Sequence, residues 1–207
     1  MGTCLIISGG DYSPLKDDIG YDYVIACDLG YEHALKMGIK PDIMVSDFDS
    51  LDRSKFPADE IALLEFPVRK DDSDTMLAIK HALKEGYGHI VISCALGGRL
   101  DHTIANIQSM AYVAERGGVC EIISDKEYLR TFTGGELSLE KREGFSLSLF
   151  SITDRCTGVS ISGSAYDCEN VTLTNSFPLG ISNCWKEERV TIRMSEGIML
   201  IAESLIK

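Results

Sequence analysis

Residues 89–124 read HIVISCALGGRLDHTIANIQSMAYVAERGGVCEIIS, and their pattern sets the fold. An apolar run rich in Ile and Val (89–95) leads through a polar, glycine-bearing turn into a stretch with apolar residues at helical spacing. Ile104, Ile107 and Ala111 stand at core positions of that stretch. It ends in Gly-Gly, as helices often do, and a second apolar run (120–124) follows. Strand, loop, helix, strand in this order predicts a right-handed βαβ unit with parallel strands.

The same alternation extends toward the N-terminus. CLIIS (4–8), YVIAC (23–27), IMVS (43–46) and IALLEF (61–66) are short apolar runs, and YEHALKMG and DTMLAIKHALKEG carry helical spacing, with Met76 and Leu83 read as core. Together these predict an α/β domain with a mostly parallel sheet. Past about residue 133 the period changes to two. FSLSLFSI, TGVSISGSAYD, VTLTNSF, ERVTIRM and GIMLIAESLI alternate apolar and polar residues between turn-forming residues. They predict an all-β antiparallel C-terminal domain, a sandwich or an open barrel. The expected division is 1–132 and 133–207, with the boundary near TFTGGE.

Composition excludes several functions. A formal net charge of −12 over 207 residues argues against nucleic acid, whose phosphates need clustered Lys and Arg. No run approaches the roughly 20 apolar residues of a membrane span, and the N-terminus has no basic n-region, so a cytoplasmic protein is expected. Seven cysteines without CxxC spacing fit reduced thiols, and four histidines without paired spacing give no zinc signature.

Fifteen of the seventeen aspartates precede residue 133, and most follow directly on the apolar runs: SGGD, CDLG, SDFDS, RKDDSD, GGRLD and SDK. Ligands of parallel sheets bind outside the carboxyl ends of the strands, where these loops must lie. Asp47 and Asp49 in SDFDS suit a hard cation such as Mg²⁺, which takes one or two carboxylates plus substrate phosphates. The same DxD alone also fits a solvated turn. Asp71, Asp72 and Asp74 precede a helix that Ser73 or Asp74 caps. Asp28 stands beside Gly30, where a backbone can approach a ligand closely. In LGGRLDHTIAN, Gly97 and Gly98 permit a tight turn, and the helix start with Arg99 suits an anion. His102 and Asn106 either both face that site, or His102 caps the turn. One anion site among several carboxylates suggests a nucleotide phosphate chelated to Mg²⁺. Trp185, the only Trp, is either core or, given its polar neighbours, a half-exposed ring.

With these stretches in place the chain resembles the thiamine pyrophosphokinase family. The resemblance rests on C-D-L-G-x3-A (27–34), G-I-K-P-D-x4-D-F-D-S (38–50), K-D-D-S-D (70–74), G-G-R-L-D-H-x3-N (97–106) and G-I-S-N-C-W (180–185). One departure is Ser46, where the family usually has Gly. The resemblance implies transfer of a pyrophosphoryl group from ATP to the hydroxyl of thiamine, with Mg²⁺, by a homodimer with active sites between subunits. It implies Asp47, Asp49 and Asp74 as the metal and catalytic carboxylates. Arg99 and Asp101 are implied for catalysis and for ATP, Asp28, Asp71, Ser73 and His102 for ATP, and Ser182, Asn183 and Trp185 for thiamine. The competing readings are a pyrophosphokinase acting on a pterin alcohol, a DxD-type Mg-dependent phosphatase, and a non-catalytic nucleotide- or thiamine-binding module.

Overall fold

The structure is a computed structural model that describes residues 2–15, 19–46, 61–65 and 72–206. Asp47, Asp49 and Asp71 lie outside the described residues. The chain divides into two compact units, 1–125 and 126–207.

The first unit follows the element order β1 (Gly2–Ile7), β2 (Tyr23–Cys27), α1 (Gly30–Met37), β3 (Ile43–Ser46), β4 (Ala62–Glu65), α2 (Asp74–Lys84), β5 (Tyr87–Ser93), α3 (Leu100–Ala114) and β6 (Val119–Ile123). Its strands lie in the spatial order β4-β3-β2-β1-β5-β6, and every pairing is parallel. Leu5, Ile6, Ile7, Ile25, Met44, Ile90, Ile92 and Ile122 are fully buried, which accounts for near-continuous apolar runs in place of alternation. The three expected helices form, and α1 ends on Gly38 in the left-handed region, its N–H donating to Ala34 and Leu35 carbonyls.

The buried face of α3 differs from the one expected. Ile104 is 49% exposed, and the packed face runs through Asn106, Ser109, Met110 and Val113. Two polar residues can occupy it because their groups are satisfied. The Asn106 amide donates to the Ala95 carbonyl at 2.7 Å and the Ser109 hydroxyl to the Ala105 carbonyl at 2.8 Å. On α2 the buried residues are Thr75, Ala78, Ile79 and Ala82, while Met76 and Leu83 are only half-buried.

The start of α1 packs directly on the end of β1. A Cβ built at Gly30 would lie 1.9 Å from the Ile7 carbonyl oxygen, a backbone atom that cannot swing away. Gly30→Ala should therefore destabilise the unit by roughly 3 kcal/mol or more, read as a lower denaturation midpoint. A midpoint within about 0.5 kcal/mol of the parent would contradict this packing.

The second unit contains β7 (Glu127–Phe132), β8 (Gly135–Glu140), β9 (Phe145–Ser151), β10 (Arg155–Ser162), β11 (Cys168–Thr174), β12 (Gly180–Asn183), β13 (Arg189–Met194) and β14 (Met199–Leu205). Strands run β12-β9-β14-β7 in one layer and β11-β10-β13-β8 in the other, with antiparallel pairing throughout. Leu147, Leu149, Met199 and Ile201 of the first layer join Val159, Ile161, Val190 and Ile192 of the second in one core. Of the two expected forms, this is the sandwich. The sequence reading assigned residues 127–132 to the first domain; here they form β7, which pairs with β14 inside the second unit.

Candidate active site

The strand order of the first unit reverses at β1, which pairs with β2 on one side and β5 on the other. In open parallel sheets a crevice for ligands opens at such a point, outside the carboxyl ends. Two glycine-rich loops leave β1 and β5 there and are tied together. Gly10 N–H donates to the Cys94 carbonyl at 2.8 Å and Asp11 N–H to the Leu96 carbonyl at 3.2 Å. Gly97 and Gly98 both hold positive φ, +80° and +60°, and the Asp11 carboxylate rests against Gly97 where a Cβ would otherwise stand. Asp11 was not among the residues picked from sequence. SGGD was legible as a polar loop, but nothing in its spacing indicates that it meets residues 97–98.

The Arg99 guanidinium is folded onto Asp101, with Nε at 3.1 Å from Oδ1 and Nη2 at 2.5 Å from Oδ2. The pair holds the Asp101 carboxyl below the usual carboxylate range and raises Arg99. Both side chains are exposed, so the pair is weak and its fork can be taken over by a phosphate. His102 is exposed, and its N–H, not its ring, donates to Asp101 Oδ1 at 3.0 Å. His102 and Asn106 thus do not act as a pair: Asn106 faces inward and pins the loop at Ala95. Nor does any side chain cap α3; Arg99 occupies the cap position without a capping bond.

On the other side of β1 the loop ends are also joined. Ser73 caps α2, its hydroxyl accepting from the Met76 N–H at 3.2 Å, which leaves Asp74 as the first helical residue. The Cys27 thiol donates to the Asp74 carbonyl at 3.6 Å, and the Ser8 and Thr75 hydroxyls meet at 2.7 Å in a buried contact. These bonds fix the start of α2 beside the ends of β1 and β2. Asp28, directly after β2, takes positive φ (45°), and its carboxylate accepts from the Ser46 hydroxyl at 2.5 Å. Asp72 instead pairs with Lys80 through both oxygens, at 2.8 and 2.7 Å. Its carboxylate is engaged along the helix, which separates it from Asp74. Burial raises the thiol of Cys94, which is 1% exposed just past the end of β5.

In the second unit, Ser182 and Asn183 end β12. Ser182 is exposed with positive φ (56°), and its N–H donates to the Ser148 hydroxyl at 3.0 Å. Asn183 is buried and all of its amide is engaged. Oδ1 accepts from Tyr166 N–H at 3.0 Å and Cys184 N–H at 2.9 Å, and Nδ2 donates to Ser164 Oγ at 3.0 Å and the Tyr166 carbonyl at 3.1 Å. The Asp167 carboxylate closes the same turn by accepting from the Ser164 N–H and hydroxyl, both at 2.9 Å. The product of this bonding is a fixed turn that presents Tyr166, 74% exposed, while Ser164 of the same turn bridges to Trp185, just past the end of β12. Trp185 is half-buried against the sandwich core, and its indole N–H is buried without a partner among the described residues. Tyr166 gives no signal in the sequence, where TGVSISGSAYD reads only as one of the alternating β stretches.

With carboxylates and the Arg99 guanidinium at the carboxyl edge of a parallel sheet in one unit, and a separate β-sandwich with a polar and aromatic strand end, the chain has the parts of a two-domain enzyme. The sequence pattern described as "Thiamin pyrophosphokinase, catalytic domain" matches residues 20–121, and that described as "Thiamin pyrophosphokinase, vitamin B1 binding domain" matches residues 136–199. Thiamine pyrophosphokinase of Bacillus subtilis (strain 168) is 28% identical over 212 residues, covering 99% of each chain. The crystal structure of thiamine pyrophosphokinase from B. subtilis superposes with a TM-score of 0.88 at 25% identity, covering 99% of this chain and 100% of that one. A thiamin pyrophosphokinase family protein from Enterococcus faecalis gives 0.87 at 25% identity, with full coverage of both. Yeast thiamin pyrophosphokinase, at 13% identity and a TM-score of 0.75 over 99% of this chain and 86% of that one, shares the fold. The chain belongs to the thiamine pyrophosphokinase family.

Proposed function

We propose that this chain transfers the pyrophosphoryl group of ATP to the hydroxyl of thiamine, giving thiamine diphosphate and AMP. The observation that carries the reading is the match of the catalytic and vitamin B1 binding patterns, in chain order, to the two units. Phosphoryl transfer is chiefly positioning and charge neutralisation, which Arg and carboxylate-held metal supply without a covalent nucleophile. Arg99, released from Asp101, takes phosphate oxygens, while Asp28, Asp71, Ser73 and His102 complete the nucleotide side.

The donor set Asp47, Asp49 and Asp74 offers only carboxylate oxygens, which fits Mg²⁺ and not a soft metal. Bound there, Mg²⁺ would neutralise charge on the phosphates. Among the described residues no group of three or more His, Cys, Asp or Glu gathers. Thiamine is a flat cation, and an aromatic face attracts such a ligand by about 0.5–2 kcal/mol. Tyr166 offers that face most openly; Ser182 and Trp185 add to the pocket, and Asn183 acts by fixing the turn that carries Tyr166. No helix among the described residues is long and apolar enough to cross a membrane. All seven cysteines are free, which supports a protein of the reducing cytoplasm. The working form we infer is a homodimer.

Incubation with ATP, Mg²⁺ and thiamine, followed by chromatography, should yield thiamine diphosphate and AMP in equal amounts. Thiamine monophosphate with ADP, or no thiamine-dependent turnover, would overturn the reading. Capture of a phosphorylated Asp47 would establish the DxD phosphatase instead.

A further inference from the structure

The structure assigns Ser46 a role of its own: we propose that it is a positioning residue, whose hydroxyl orients the Asp28 carboxylate toward the nucleotide. Ser46 closes β3 and is fully buried; Asp28 directly follows β2, the neighbouring strand. The two strand ends are joined twice, by Ser46 Oγ to Asp28 Oδ1 at 2.5 Å and by Asp28 N–H to the Val45 carbonyl at 3.1 Å. The backbone bond holds the Asp28 main chain in its left-handed turn (φ 45°). The side-chain bond restrains the carboxylate, and a hydroxyl donating to an ionised oxygen is among the stronger hydrogen bonds. One oxygen is thereby fixed, and the direction of the other follows from carboxylate geometry.

This rests on the proposed reaction only in taking ATP as the ligand. The test is a double-mutant cycle on the full chain, with Ser46→Ala, Asp28→Gly and their combination. Glycine accepts the left-handed backbone of residue 28 and removes the carboxylate. ATP affinity is measured by calorimetry with Mg²⁺ and without thiamine, and AMP formation is followed in parallel. Ser46→Ala should weaken ATP about tenfold and leave the KM for thiamine unchanged, whereas adding it to Asp28→Gly should change ATP affinity by less than about twofold. Ser46→Gly, which also lacks the hydroxyl, should reproduce the first result if Ser46→Ala folds poorly. Parental ATP affinity in both single variants at position 46, or the same tenfold loss in the Asp28→Gly background, would overturn the role. If the parent binds ATP but makes no AMP from thiamine, the reaction falls while the cycle still decides Ser46; a parent that does not bind ATP overturns both.

Discussion

Asp47→Asn should lower the rate of AMP formation by roughly a hundredfold or more while the protein stays folded. Asparagine keeps the size of the side chain and removes the charge that offsets a divalent cation. On the proposed metal site the loss would fall on phosphate neutralisation at the moment of transfer, where such interactions count most. The fold should survive because the parallel sheet is held by the buried apolar strands and by loop bonds elsewhere, such as Gly10 to Cys94 and Ser8 to Thr75. Steady-state kinetics against Mg²⁺ concentration, with circular dichroism as the control, make the check. Near-parental turnover with an unchanged Mg²⁺ requirement would remove Asp47 from the metal site, and loss of the fold would make it a structural residue.

Asn183→Ala should strongly destabilise the second unit. It removes four hydrogen bonds at once and leaves the Tyr166 and Cys184 N–H groups and the Tyr166 carbonyl without that partner, while the Ser164 hydroxyl keeps its bond to Asp167. Unmet groups in so enclosed a turn cost about 3 kcal/mol in sum, and the Tyr166 turn loosens with them. Thiamine affinity should fall as the aromatic face loses its fixed position, with ATP affinity little changed. Asn183→Asp keeps an acceptor for the two N–H groups but sets a carboxylate against the Tyr166 carbonyl, so it should recover only part of the stability. Urea denaturation and calorimetry with thiamine measure both effects. A loss under about 1 kcal/mol with full thiamine affinity would show that the turn stands without Asn183.

What the sequence disclosed follows from which forces act locally. The parallel strands were legible because strands buried on both faces must be apolar throughout, as in Leu5-Ile6-Ile7 and Ile90-Val91-Ile92. The sandwich was legible from its alternation, except at β7, where the polar Thr131 takes a buried position and the apolar Tyr128 and Phe132 take less buried ones. The packed face of α3 was misread because periodicity counts apolar residues, whereas Asn106 and Ser109 enter the interior by satisfying their own polar groups. Ser73 as the cap of α2 was one of two options, and only the bond to Met76 decides it. The contacts of the site were not legible at all. Asp11 against Gly97, Ser46 on Asp28 and Asn183 around Tyr166 join residues 86, 18 and 17 positions apart, through side-chain directions that no local pattern encodes.

The most direct test of the account follows the phosphorus atoms. ATP labelled at the γ-phosphorus in one reaction, and at the α-phosphorus in another, is incubated with the protein, Mg²⁺ and thiamine. Attack at the β-phosphorus sends the γ-label into thiamine diphosphate and keeps the α-label in AMP, in equal amounts and only when thiamine is present. Recovery of the γ-label in thiamine monophosphate or in inorganic phosphate, with the α-label in ADP, would contradict pyrophosphoryl transfer.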